Sequence, residues 1–199
     1  MKKIKVAYQG IKGAYSYLAA ENVFKNAEII GLETFEEVFE SVEQGIYDIA
    51  FIPVKNSFAG IVKETAPYLA ATKLVKTGVY EFRIHHQLWG LKDSKLSEIE
   101  KVYSHPQALA QCRLFWQQHH FEPKEYIDTA LSCKKILELG DKKSAAIASD
   151  SAGLIYGLKK LAENIESMND NITTFYILCR EDKFNFKNID NFIKKSLTD

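Results

Sequence analysis

The sequence predicts an α/β fold made of two small lobes. Strand-like and helix-like segments alternate along the chain, which argues for parallel sheets with helices on both faces. The 199 residues, 46 % of them apolar, suffice for one large domain or for two small lobes with a shared core, and two such sets in this length suggest the lobes. Polar residues gather where several strands end: GIKGAYS, VKNS, SHPQ, IDTA and IASDSAG. Open parallel sheets bind ligands beyond the carboxyl ends of their strands, so these clusters predict a small-molecule cleft between the lobes.

KIKVAYQ alternates polar and apolar residues and reads as the first strand, and GIKGAYS then turns into a helix through YLAAENVF. AEIIGL is the second strand. Thr34 opens the helix TFEEVFESVEQG, with Glu37 at capping-box spacing and Gly45 closing it. YDIAFIPV is an apolar third strand, a short helix follows Thr65, and KLVKTGVYEFRIHHQLWGL reads as long strand material. In the second half KVYS, KEYID, SAAIAS and ITTFYILCR are strands. PQALAQCRLFWQQHH is a helix with Pro106 in its first turn, and ALSCKKILELG is a helix ending at Gly140. The tail KFNFKNIDNFIKKSLTD fits one short helix or a frayed end.

Twenty-six basic residues balance 26 acidic ones, so the basic excess that nucleic acid or an anionic membrane calls for is absent. Lys5 and Gln9 interrupt the apolar start, which argues against a signal peptide, and no segment is long enough to span a bilayer. Cys112, Cys133 and Cys179 lack metal-ligand rhythm and are expected to be reduced and mostly buried in a cytoplasmic protein.

Of the motifs, SHPQALAQC is the most informative. Ser104 ends a strand and is placed to cap the helix opened by Pro106; Gln107 and Gln111 share a helical face. Two amides near a helix N-terminus offer donors to an anion; a capped helix with exposed glutamines is the equal alternative. Asn56 stands at a strand end, where an amide holding its own turn is the plainer reading. In GAYS, Gly10 and Gly13 allow close backbone approach and Ser16 falls in a helix's first turn. Thr173 and Thr174 lie on one strand, so only one of them faces a cleft. His119 and His120 suit a solvated helix end. One of His85 and His86 is expected to face inward as a satisfied core histidine. No pattern supports nucleophilic catalysis, a metal or a dinucleotide.

Together, YQGIKGAYSYLAA, FEEVFESVEQGIYDIAFIPVKNSFAGIV, IHHQL, VYSHPQALAQC and AAIASDSAGLIYGLKKLAENIESMNDNITTF resemble the prephenate dehydratase family, in family order, over roughly residues 4–180. The resemblance implies a fold similar to the type II periplasmic-binding proteins, with the active site in the cleft. The catalytic domain would span residues 1–183, with lobe 1 at about 1–75 and 168–183, lobe 2 at about 76–167, and 184–199 a tail. It implies conversion of prephenate to phenylpyruvate with loss of carbon dioxide and water, without a cofactor, by a cytoplasmic homodimer. Prephenate and arogenate stay open as substrates. Asn56, Ser104, Gln111 and Thr173 match catalytic positions, while Gln107, Ser16, Lys55, Thr129 and Phe175 match substrate-binding ones. Relatives often continue into a phenylalanine-binding ACT domain, and the length here leads one to expect no feedback by that route.

Five signature positions depart from the family. Lys55 replaces a glutamate, Thr174 an arginine, Ala14 a threonine, Ile11 a proline and Asp128 a serine. One expectation is a charge exchange in which Lys55 supplies the cation that the arginine would give a dianionic ligand. Two other functions fit such a chain: a prephenate decarboxylase that keeps the ring hydroxyl, and a non-catalytic small-molecule binding protein.

Overall fold

The computed structural model describes residues 3–168 and 170–183. The fold is mixed α/β, with two sheets in two compact units. Among the described residues, unit 1 takes those up to Ile11, Tyr15–Arg83 and those from Ile172, and unit 2 takes Lys12–Ala14 and Ile84–Asn171. Apart from Lys12–Ala14, the chain leaves unit 1 after Arg83, later than the residue 75 expected from the sequence, and returns at Ile172. The expected tail, 184–199, lies outside the described residues.

In unit 1, strands β1 (Lys5–Gln9), β2 (Glu28–Leu32) and β3 (Ile49–Asn56) run parallel, with α1 (Tyr15–Val23) and α2 (Phe35–Glu43) between them. Thr34 and Glu37 form the expected capping box at the start of α2. β4 (Gly60–Ile61) pairs with β3, and α3 (Ala66–Ala71) leads to β5 (Val75–Arg83). The last strand, β11 (Ile172–Cys179), inserts antiparallel between β3 and β5, giving the order β2-β1-β3-β11-β5. The sheet is therefore mixed, where alternation alone suggested a parallel one. One face buries Phe24, Phe51, Phe175 and Ile177 against α1; the other buries Val38, Val42, Ala50, Ile52 and Leu178 against α2. Each fully buried side chain of this size contributes about 1.5–3 kcal/mol relative to exposure.

One irregularity positions the site. Thr174 pairs with Lys55 but Phe175 pairs with Pro53, so Val54 has no opposite number on β11: β3 carries a one-residue bulge. Proline, lacking an N–H, is tolerated in strands at such places. The extra residue reverses the side-chain phase of β3 beyond the bulge. Asn56 and Thr173 share a row with Phe82 on the Phe51 face, while Lys55, Thr174 and Glu81 form a row on the opposite face.

Unit 2 contains β6 (Gln87–Gly90), β7 (Lys101–Ser104), β8 (Glu122–Glu125), β9 (Ser144–Ala148) and β10 (Lys159–Ala162), ordered β10-β6-β9-β7-β8. β7 is parallel to β8 and β9, whereas β6 is antiparallel to β9 and β10, so this sheet is mixed too. The helices are α4 (Pro106–Gln111), α5 (Arg113–Gln118), α6 (Thr129–Leu139) and α7 (Asp150–Ile155). Asp128 caps α6 by accepting from the Leu131 amide, and Gly140 ends it in the left-handed region. Trp89 packs so closely on α7 that a Cβ on Gly153 would lie 1.9 Å from its ring.

Two long expectations are broken. The strand foreseen from Lys73 to Leu91 is β5 and β6, which belong to different sheets. At the break, Glu166 accepts the His86 amide and the Asn171 carbonyl accepts that of Ile84, so ladder bonds are replaced locally. The single helix over PQALAQCRLFWQQHH is α4 and α5, parted at Cys112. There the Gln111 carbonyl accepts from the Ser167 amide and the Ser167 hydroxyl takes the Leu114 amide.

Candidate active site

In unit 1 the candidate site centres on Asn56 and Thr173. Asn56 is buried, and its Oδ1 accepts from the amides of Phe58 (3.0 Å) and Ala59 (2.9 Å). Backbone N–H groups can only donate, so this fixes the orientation of the amide: Nδ2 faces Thr173 and donates to Oγ1 at 3.0 Å, with the Ile172 carbonyl at 3.4 Å. The plainer expectation for Asn56, an amide holding its own turn, is correct and incomplete, because the same side chain also orients the threonine. With Oγ1 accepting from Asn56, the Thr173 hydroxyl directs its proton to another acceptor. Amide donation to Oγ1 polarises the O–H and strengthens it as a donor. Ser57 reinforces the corner: its amide donates to the Ile172 carbonyl, and its hydroxyl accepts from the Ile172 amide.

Other expected residues of unit 1 fall elsewhere. Phe175 is 1 % exposed and stacks on Phe51 at 4.5 Å, so it belongs to the core and offers no surface to a ligand. Lys55 is exposed on the sheet face opposite Asn56 and Thr173, directly across from Thr174. Two signature departures are therefore cross-strand neighbours of one another. Ser16 is half-buried in the first turn of α1.

In unit 2, Ser104 is fully buried and donates to the Ile147 carbonyl at 2.6 Å, tying β7 to β9. It does not cap α4. His105 does, its Nδ1 accepting from the Gln107 amide at 3.2 Å. Gln107 is half-buried. Gln111 is buried, and its Oε1 meets His86 Nε2 at 2.6 Å. His86 is the inward-facing member of the His85–His86 pair, 1 % exposed. Burial pushes its imidazole below the ordinary histidine range, against the Gln111 bond and the charge of Glu166, which pull the other way. The Glu166 side chain, 2 % exposed, accepts from the His86 amide at 2.9 Å and meets His85 Nδ1 at 2.7 Å. Glu166 was not foreseen; it is 80 residues from His86, and no local pattern signals it. Gly13 approaches Ala152 closely at φ +95, and its carbonyl accepts from the Ser149 hydroxyl at 2.6 Å. Thr129 is half-buried at the first position of α6. Asp128 serves as N-cap there as a serine would, so that departure is chemically mild. Among the described residues, no group of three or more His, Cys, Asp or Glu side chains is placed to hold a metal ion.

A family profile described as prephenate dehydratase matches residues 6–183. The chain belongs to the prephenate dehydratase family. It is 37 % identical over 179 residues to arogenate dehydratase 2 of Petunia hybrida, covering 90 % of this chain and 45 % of that protein. It is 37 % identical over 177 residues to the bifunctional chorismate mutase/prephenate dehydratase of Pseudomonas aeruginosa, covering 88 % and 48 %. The chain thus spans just under half the length of these curated relatives. Among solved structures, the prephenate dehydratase of Arthrobacter aurescens in complex with L-Phe superposes with a TM-score of 0.82 at 27 % identity, covering 89 % of this chain and 60 % of that one. The structure of GqqA, a novel type of quorum quenching acylase, superposes with a TM-score of 0.82 at 32 % identity, covering 89 % of this chain and 64 % of that one. The methionine-binding protein MetQ, at 13 % identity and a TM-score of 0.52, shares the fold alone. Of the four residues expected to be catalytic, Asn56 and Thr173 are bonded to each other in unit 1, while in unit 2 Ser104 bonds to the Ile147 carbonyl and Gln111 to His86. No helix among the described residues is long and apolar enough to cross a membrane.

Proposed function

We propose that this chain is a dehydratase that converts prephenate to phenylpyruvate, or arogenate to phenylalanine, with loss of carbon dioxide and water. The observation that carries the reading is the Asn56–Thr173 bond, which leaves a polarised hydroxyl whose proton is available to a departing oxygen. In the elimination, the ring carboxylate's C–C bond breaks to give carbon dioxide. Its electron pair enters the ring, and the C–O bond opposite breaks as the ring becomes aromatic. Thr173 is too weak an acid to ionise near neutral pH. Its contribution is a hydrogen bond that grows stronger as negative charge develops on the leaving oxygen, which takes its final proton from solvent. The electrons stay within the substrate, so the reaction calls on no cofactor.

Gln111 and Gln107 of unit 2 are suited to donate to carboxylate oxygens, and Ser16 and Thr129 to hold the substrate's polar rim. Ser104, bonded to the Ile147 carbonyl, acts by fixing the strand end from which α4 starts. A cytoplasmic location and a homodimer belong to the same proposal and rest on the family resemblance. The test is product analysis of the purified protein with prephenate and with arogenate, against Thr173→Val. Phenylpyruvate or phenylalanine formed by the parent and strongly diminished in the variant supports the reading. A decarboxylated product that keeps its hydroxyl, or no turnover, refutes it.

A further inference from the structure

We propose that His86 is a positioning residue that turns the Gln111 amide so that its nitrogen, not its oxygen, faces the substrate. The inference rests on the dehydratase reading for the word substrate, but its geometry stands apart from it. An amide has a donor end and an acceptor end of nearly equal size, and an anion distinguishes them. Nitrogen outward gives a carboxylate a hydrogen bond; oxygen outward repels it. The buried contact of 2.6 Å between His86 Nε2 and Gln111 Oε1 selects the first state, because an amide oxygen can only accept. In this arrangement Nε2 carries the proton, which is the tautomer the proposal requires. Burial disfavours the charged ring, so the bond is one between neutral groups and costs the protein no buried charge.

What keeps the two side chains in register is a three-residue segment. The Ile165 amide donates to the His86 carbonyl at 2.9 Å. The Glu166 carboxylate accepts from the His86 amide at 2.9 Å. The Ser167 amide donates to the Gln111 carbonyl at 2.7 Å. Consecutive residues thus grip the main chain of both partners, which come from a break between two strands and from the last turn of a short helix. Gln111 and His86 lie 25 residues apart, and no continuous secondary structure joins them.

Two measurements test this. In nitrogen-15 spectra of histidine-labelled protein, the His86 ring is expected as the Nε2–H tautomer near neutral pH. The Nδ1–H tautomer, with Gln111 nitrogen turned inward, would overturn the proposal. In turnover of prephenate or arogenate, His86→Leu is expected to lower kcat/KM by about tenfold or more, mainly through KM, as for loss of a hydrogen bond to a charged group. His86→Gln, which restores a side-chain N–H at similar reach, is expected to recover to within a few-fold. A folded His86→Leu protein within twofold of the parent overturns the proposal. If His86→Leu does not fold, the tautomer of the parent decides. If the parent turns over neither substrate, the dehydratase reading falls, and the tautomer alone decides whether His86 orients Gln111.

Discussion

Asn56 performs two tasks with two ends of one amide, and two substitutions separate them. Asn56→Ala removes the acceptor for the Phe58 and Ala59 amides and the donor to Thr173, three bonds of 2.9–3.0 Å at a buried side chain. At about 0.5–1.5 kcal/mol each, with water able to reach the exposed 58–59 turn, the loss is about 2–3 kcal/mol, or roughly 4–12 °C in Tm for a chain of this size. Asn56→Asp keeps both acceptor bonds, and the two amides stabilise its charge, so its stability should fall by about 1 kcal/mol or less. Its effect on Thr173 is the opposite of asparagine's. A carboxylate cannot donate, so the threonine turns its proton toward it and withdraws it from the leaving oxygen. Removal of one transition-state donor typically costs about a hundredfold or more in kcat. Thermal unfolding and chromatographic product formation on the same preparations give both quantities. The expected pattern is an aspartate variant nearly as stable as the parent yet almost inactive, and an alanine variant that is both less stable and weakened. An aspartate variant with kcat within threefold of the parent would refute the assignment of Thr173 as donor.

Lys55→Glu should change the KM for prephenate by less than about twofold, because Lys55 points from the opposite sheet face and exposed charges are screened; a larger change would restore it as a ligand. Gly153→Ala should destabilise the protein by about 3 kcal/mol, since its Cβ would meet the buried Trp89 ring, and denaturant titration reads this directly. Burial holds the His86 pKa below the ordinary 6.5, so the unfolded chain takes up a proton that the folded one refuses. Stability should therefore fall as pH drops from about 6.5 toward the folded value and level off below it. His86→Gln should lose that part of the slope; urea unfolding at several pH values with identical slopes for both proteins would exclude the assignment.

The features legible in the sequence are those whose causes are local. Thr34 and Glu37 state a capping box within four residues, and Gly140 states a helix end by itself. Strand alternation required that Thr173 and Thr174 face opposite ways, and they do. The remainder depends on distant partners. That β5 and β6 enter different sheets is decided by the strands they pair with, and Arg83 and Gln87 give no sign of it. α4 ends because Ser167 takes the Gln111 carbonyl, a contact spanning 56 positions. Ser104 looked like a cap because serine precedes helices so often; the β9 carbonyl beside it outcompeted that role. Phe175 was expected at the substrate, yet an aromatic next to polar site residues is equally a core residue, and the Phe51 ring claims it. The reading of YDIAFIPV as an apolar strand did not anticipate the bulge, although Pro53 stands beside it.

The unpaired Val54 also sets how this strand can change over evolutionary time. Substitutions at Ala50 or Ile52 are judged by core volume alone and can drift. A deletion of Val54 would remove the bulge and leave Asn56 opposite Thr173, whereas the full-length strand paired without the bulge would put Lys55 opposite Thr173 and turn Asn56 to the other face. The register of this segment, more than its composition, is the inherited instruction for where the amide points.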